Sequence, residues 1–316
     1  MSFDEPDLPA EFAEELQIEL VPVGPVEVPP RRPRVWSVFV VFLLAMLVAM
    51  VVVPVCILLG LVLLQYGATI RSAADLENAA MAVAASPAGF LAVGAGTLTA
   101  VGITAILAAL ISPVPWRDRL QLRAVGISPA ALLAGICGVP AIGVVFDALN
   151  GLGLMPHSPA LETFGDLVQG LSGPSLAAGV VVIGVMPGIA EELLFRGYIQ
   201  TRLVARWGPG WGIFWTSLMF GLWHMDLVQG GFAVFVGILL GYLTYRTGTL
   251  WPAMVGHAAN NILSVLLTAE NVEVTGFEMS LTCLAGSLVL LALCAWSIHR
   301  FARPAEPRQA EEEPLS

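Results

Sequence analysis

Long apolar segments separated by short polar ones occupy most of this 316-residue chain. A helix that crosses a bilayer needs about 20 mostly apolar residues. The pattern predicts eight such helices, of which the fifth and sixth are short and meet at Gln229-Gly230-Gly231. The predicted spans are 36–64, 88–112, 129–149, 174–196, 210–225, 230–246, 250–268 and 279–299.

Composition supports a lipid environment, because the chain is 57% hydrophobic and 12% charged, whereas soluble domains are about 25% charged. These values favour an all-α, polytopic transmembrane helical bundle. The acidic residues behind the net charge of -10 are concentrated in the first 27 and last 13 positions. Residues 1–34 and 301–316 are therefore predicted to be disordered, solvated tails. No basic run is present, which argues against a nucleic-acid partner.

The arginines predict the topology, because short cytoplasmic loops carry an excess of basic residues. All fourteen basic residues are arginine. With eight spans and the N-terminus inside, thirteen of the fourteen fall on the cytoplasmic side and only Arg71 falls outside. Both termini are therefore predicted to be cytoplasmic.

Ionisable side chains inside the predicted spans are the candidates for function. Each costs about 2.5–3.5 kcal/mol near the centre of the bilayer, so such residues are seldom incidental. The candidates are Glu191, Glu192, Arg196, His224 and His257, with Asn261 following His257.

Helical spacing separates the two glutamates. Glu192 and Arg196 are one turn apart and can pair, whereas Glu191 points about 100° away and is left for chemistry. An ion-pair cluster at a helix end is the alternative. His257 and Asn261 are also one turn apart. The alternative for this pair is a polar contact that holds two helices together. The alternative for His224 is a packing role.

Depth also favours a common site. A helix rises about 1.5 Å per residue. Counted from the predicted cytoplasmic end of each helix, His257 lies about 10 Å deep in the membrane, Asn261 about 15 Å and His224 about 20 Å. Glu191 falls at about 8–22 Å by the same count. All four side chains are therefore expected in one layer of the cytoplasmic half of the bilayer.

A carboxylate and two imidazoles around such a cavity suit the activation of water. Glu191 is a candidate general base, His224 a group that holds the water, and His257 with Asn261 an oxyanion site. Glu191, His224 and His257 also resemble a catalytic zinc set with an open position, although the chain has no HExxH motif. The spacing leaves metal-assisted and metal-free hydrolysis open.

Three short motifs carry a family resemblance. EELLFR fits EExxxR, FGLWH fits FxxxH, and His257 with Asn261 fits HxxxN. Their order on successive spans, over roughly residues 130–268, resembles the CPBP family of intramembrane proteases. That family includes the eukaryotic CAAX prenyl endopeptidase and the bacterial Abi proteins.

The resemblance implies a protease core at 126–300. The two transmembrane helices that hydropathy predicts within 35–125 precede this core and lie outside the resemblance. The resemblance also implies a cavity open to the cytosol, in which Glu191 and His224 activate water and His257 and Asn261 bind the oxyanion. Glu192 and Arg196 would be structural.

The preferred hypothesis is therefore a membrane-embedded endopeptidase of the bacterial plasma membrane. Its partners would be lipid and a membrane-anchored or membrane-inserted polypeptide. Two alternatives remain. One is a non-enzymatic immunity or regulatory protein. The other is a proton-coupled transporter that uses buried Glu and His as a relay, although no inverted repeat is evident.

Overall fold

The computed structural model describes residues 34–123 and 128–302, all within the unit Pro33–Ser316. Every regular element in these residues is a helix, as the hydropathy pattern predicts. Nearly all of the two predicted tails lies outside the described residues. The helices are α1 (Trp36–Tyr66), α2 (Ala73–Ala85), α3 (Pro87–Leu110), α4 (Trp116–Arg119), α5 (Pro129–Gly151), α6 (Pro159–Gln169), α7 (Gly173–Trp223), α8 (Leu227–Thr247), α9 (Trp251–Ala269) and α10 (Phe277–Phe301).

Six of the described helices are long and apolar enough to cross a membrane: α1, α3, α5, α7, α8 and α10. With 51 residues, α7 would extend about 77 Å if straight, more than twice the ~30 Å hydrocarbon core. Its backbone leaves the helical conformation at Gly208 (φ 81°, ψ 168°), directly before Pro209. Consequently α7 has two arms, 173–207 and 209–223. Eight spans and cytoplasmic termini remain predictions.

The turn between α7 and α8 lies at His224–Asp226, so the junction predicted at Gln229-Gly230-Gly231 is wrong. The Asp226 carboxylate accepts hydrogen bonds from the backbone N–H groups of Val228 (2.9 Å) and Gln229 (2.8 Å) and so begins α8. Gly230 instead lies within α8, where it allows α8 to pack closely against the second arm of α7. A Cβ at Gly221 would lie only 2.6 Å from the Gly230 carbonyl oxygen.

The helix connections define two ends of the bundle with different charge. One end holds the connections 111–123, 207–209 and 248–250, and most of the described arginines lie at or near it. We call it the arginine-rich end. The arginine-poor end holds the connections 67–72, 152–158, 224–226 and 270–276, with Arg71 as its single described arginine.

Side-chain links close each end. At the arginine-rich end, Arg246 Nη2 donates to the carbonyl oxygens of His299 (2.6 Å) and Ala302 (2.7 Å). At the arginine-poor end, the Ser158 hydroxyl donates to Asp226 (2.7 Å) and also caps α6 by accepting from the Leu161 N–H (3.2 Å). The start of α6 is therefore tied to the start of α8.

An aromatic cluster packs behind the polar residues of α7. Phe195 contacts Phe42, Phe220 and Trp223 at ring-centroid distances of 6.3, 5.0 and 5.8 Å. All four rings are buried. Such pairs stabilise by about 0.5–1.5 kcal/mol beyond the area they bury. The cluster therefore fixes α1 and both arms of α7 around the candidate site.

Candidate active site

The first arm of α7 carries the two glutamates within an irregular helix. Its turns widen to π-helical geometry at Val180–Val185 and Leu193–Gln200, on either side of Glu191 and Glu192. Such turns occur frequently at functional sites. They rotate the following residues relative to a regular helix, so that the orientation of these side chains depends on more than sequence spacing.

A buried ion pair anchors the site. Arg196 Nη1 donates to Glu192 Oε1 over 2.7 Å, and both side chains have no exposed surface. The guanidinium also lies 4.3 Å from the centroid of the Phe220 ring. A desolvated cation–π contact of this kind stabilises by about 2 kcal/mol. Phe220 therefore stabilises the positive charge of the buried Arg196 guanidinium.

His257 of α9 lies between the two glutamates. Its Nδ1 is 2.9 Å from Glu192 Oε1, and its Nε2 is 3.8 Å from Glu191 Oε2. Glu192 is paired with Arg196 and can only accept, so Nδ1 must carry the hydrogen; this assignment is inferred from the partner. Nε2 therefore faces Glu191. Sequence spacing paired Glu192 with Arg196 alone and missed this contact.

His224 follows directly after the second arm of α7. Its Nδ1 donates to the Phe220 carbonyl oxygen over 2.9 Å, because a carbonyl can only accept. A neutral His224 therefore keeps a lone pair on Nε2. The Phe220 ring meets both imidazoles edge-on, with centroids 5.1 Å from His224 and 5.7 Å from His257.

Asn261 is half-buried on the same face of α9 as His257. Its Oδ1 accepts a hydrogen bond from Asn260 Nδ2 over 3.0 Å. The Asn261 amide nitrogen therefore keeps both hydrogens for another partner. Sequence reasoning did not single out Asn260, whose polar side chain is buried and orients its neighbour.

One cavity of about 470 Å³ brings the candidates together. Glu191, His224, His257 and Asn261 all line it, with α3, α5, α6 and α8 forming the remaining walls. Glu192 and Arg196 lie behind His257 and are not among the lining residues. The structure thus divides the predicted residues into four that face the cavity and two that support them.

The family comparison agrees with this arrangement. Residues 173–263 match the family model described as Type II CAAX prenyl endopeptidase Rce1-like. The resemblance to the CPBP family is confirmed. The Rce1-like segment contains all six predicted site residues, and with the apolar helices it indicates a membrane protease that is an integral membrane protein. No curated protein and no solved structure gave a significant match.

The cavity, which helices outside the Rce1-like segment also line, runs toward the arginine-poor end. Its lining includes Phe90 at the start of α3, Phe164 of α6, Gln229 of α8 and Thr268 of α9, all at that end. None of the described residues 111–123, 207–209 or 248–250 lines it. With the predicted topology the cavity leads to the outer side, in contrast to the cytosolic opening that the resemblance implies.

The predicted metal set was Glu191, His224 and His257. Among residues 34–123 and 128–302, no group of three His, Cys, Asp or Glu side chains could hold a metal ion. His257 directs Nδ1 to Glu192, and its Nε2 is 3.8 Å from Glu191. The residues as arranged do not fit a three-ligand ion. Zinc remains a sequence-based prediction, and no step of the proposed reaction requires a metal ion.

Proposed function

We propose that this chain is an intramembrane endopeptidase of the CPBP type. It hydrolyses a peptide bond of a membrane-associated polypeptide in a bacterial plasma membrane. The observation that carries the proposal is the approach of Glu191 Oε2 to His257 Nε2, 3.8 Å apart on a cavity that His224 and Asn261 share. The exclusive use of arginine motivates the bacterial assignment.

Glu191 and His224 activate the water. The Glu191 carboxylate accepts a proton from a water molecule, while the Nε2 lone pair of His224 accepts its second hydrogen in a hydrogen bond. The water oxygen then bonds to the carbonyl carbon, and the electrons of the C=O double bond move to the carbonyl oxygen. A positioned general base contributes about 10²–10⁴-fold to such a step.

His257 and Asn261 stabilise the resulting oxyanion. Asn261 donates from its amide nitrogen, and His257 in its imidazolium form donates from Nε2. Because Nε2 lies 3.8 Å from Glu191, the base and this donor can each reach a different oxygen of one tetrahedral carbon. Glu191 then returns its proton to the amide nitrogen as the C–N bond breaks, which yields a carboxylic acid and an amine.

Glu192 and Arg196 act as positioning residues. Arg196 donates a hydrogen bond to Glu192, and Glu192 accepts one from His257 Nδ1. This support fixes the direction of Nε2 without contact between either residue and the substrate.

The test uses the full-length protein in lipid nanodiscs with a library of quenched fluorescent peptides. Glu191→Gln and His224→Ala are expected to lower hydrolysis at least 100-fold, with folding checked by thermal denaturation. Glu270→Gln, a matched change at an exposed glutamate, is expected to retain activity. Hydrolysis by folded Glu191→Gln at the wild-type rate would overturn the mechanism.

A further inference from the structure

A carboxylate that the proposed mechanism does not use also lines the cavity. Asp147 lies on α5, is exposed within the cavity lining, and forms no hydrogen bond or ion pair with any of the described residues. A carboxylate on a membrane-spanning helix is costly unless water or a cation meets it. Its charge is therefore open to a ligand in the cavity.

The packing of α5 against α9 fixes the level of Asp147. A Cβ at Gly256 would lie 2.8 Å from the Gly135 carbonyl oxygen, and a Cβ at Gly143 would lie 3.2 Å from Asn260 Oδ1. The two helices thus run side by side in the same direction. One turn further along each helix, Asp147 reaches the level of Ser264, about 10 Å beyond His257 along the axis of α9.

A polar stripe connects the catalytic groups to this level. His257, Asn261, Ser264 and Thr268 follow one another at spacings of four, three and four on one face of α9, and all line the cavity. Their amide and hydroxyl groups can both donate and accept. A peptide backbone in a membrane needs such partners for its own N–H and C=O groups.

The facing wall is apolar. It is formed by Phe90 and Leu98 of α3, Phe164 of α6 and Val182 of α7. Phe90 and Phe164 meet edge-on at 5.7 Å between ring centroids. The cavity therefore has one wall for a peptide backbone and one for apolar side chains. Among the described lining residues, Asp147 is the unpaired carboxylate between the catalytic groups and the arginine-poor end.

We propose that Asp147 forms a cation-accepting subsite. The substrate is an extended polypeptide that reaches the catalytic groups from the arginine-poor end and carries an ammonium or guanidinium group near the cleaved bond. Because an extended chain advances about 3.3 Å per residue, a distance of about 10 Å puts that group about three residues from the bond. The proposal rests on the proposed peptidase function.

Two sources supply the same cationic group: a Lys or Arg side chain, and a free amino terminus. The experiment separates them with quenched fluorescent peptides and the full-length protein in nanodiscs. Mass spectrometry first identifies the cleaved bond. The third residue on each side of it is then varied among Lys, Arg, norleucine and Glu. A further pair of peptides, with a free or an acetylated amino terminus at that position, tests the second source.

The ratio of kcat/KM for basic over norleucine peptides is the readout. We expect a ratio of about ten or more, the size of one hydrogen bond to a charged group. Asp147→Asn should bring the ratio close to one, and Asp147→Lys should invert it in favour of Glu. Asp166→Asn removes an exposed carboxylate of α6 outside the cavity lining and should leave the ratio at the wild-type value.

Binding separates the subsite from the peptidase function. The same peptides are titrated into the Glu191→Gln variant and followed by fluorescence anisotropy. If basic peptides bind preferentially and Asp147→Asn abolishes this preference, the subsite is supported even when the wild-type protein cleaves no peptide. In that case only the peptidase function is rejected. If peptides are cleaved without a preference for basic residues, the subsite is rejected and the peptidase function is supported. The same conclusion holds if Asp147→Asn leaves such a preference unchanged. If neither binding nor cleavage occurs, both proposals are rejected.

Discussion

Removal of Arg196 tests the charge network behind the candidate site. Arg196 and Glu192 are fully buried and paired at 2.7 Å, and Glu192 also accepts from His257. In Arg196→Gln the Glu192 carboxylate loses its cation while it stays buried. Breaking a buried ion pair in this way costs about 3–5 kcal/mol. Loss of the contact with Phe220, 4.3 Å away, acts in the same direction.

The double variant Glu192→Gln with Arg196→Gln should recover most of this loss. Replacing both charges leaves no unpaired ion, and such exchanges are often neutral. The amide oxygen introduced by Glu192→Gln would still accept from His257 Nδ1. Arg206→Gln, a change at an exposed arginine further along α7, is the matched control and should change stability by less than about 0.5 kcal/mol.

Unfolding in mixed micelles titrated with SDS, followed by tryptophan fluorescence, measures these differences. The expected loss for Arg196→Gln corresponds to a shift of about 100- to 4,000-fold in the unfolding equilibrium. An Arg196→Gln protein as stable as Arg206→Gln would refute the reasoning, because Glu192 would then not depend on its cation.

Three further predictions concern the bundle. Hydrogen bonds from the Gln229 backbone N–H, the Ser158 hydroxyl and the Val228 N–H hold the pKa of Asp226 below its ordinary value. This stabilisation is therefore complete at neutral pH and is lost as pH falls below about 4. As the pH is lowered, the melting temperature of the wild-type protein should fall more steeply than that of Asp226→Asn. Identical profiles of melting temperature against pH would contradict this prediction. A Cβ at Gly188 would lie 2.8 Å from the Ala258 backbone nitrogen, so Gly188→Ala should cost about 1–3 kcal/mol. The control Gly286→Ala, with no atom within 4 Å of its Cβ, should cost nothing in the same denaturation assay. On a cysteine-free background in intact cells, a membrane-impermeant maleimide should label Thr275→Cys at the arginine-poor end. It should label Arg206→Cys only after lysis, and the reverse pattern would invert the topology.

Local patterns predicted the helices well. Apolar runs at 36–64, 129–149 and 279–299 correspond to α1, α5 and α10, because the length and hydropathy of a run are properties of the sequence alone. The one-turn spacing of Glu192 and Arg196 likewise anticipated a contact within one helix. Such features need no knowledge of neighbouring helices.

Features that depend on packing could not be predicted. The contact of Glu192 with His257 joins residues 65 positions apart, and no spacing rule covers that distance. Gly230 has the sequence character of a turn residue, yet its function is close approach to Gly221. Asp147 lies one turn before the end of α5, where an acidic residue is ordinary until the cavity beside it is known.

Phe220 has a consequence for related sequences. Its carbonyl holds His224, and its ring meets Arg196 and both imidazoles. EExxxR, FxxxH and HxxxN thus share one aromatic side chain and are not three independent signatures. Among homologues, we expect the residue at position 220 to covary with the residue at position 196. Where the arginine is replaced, an aliphatic residue should be tolerated in place of the phenylalanine.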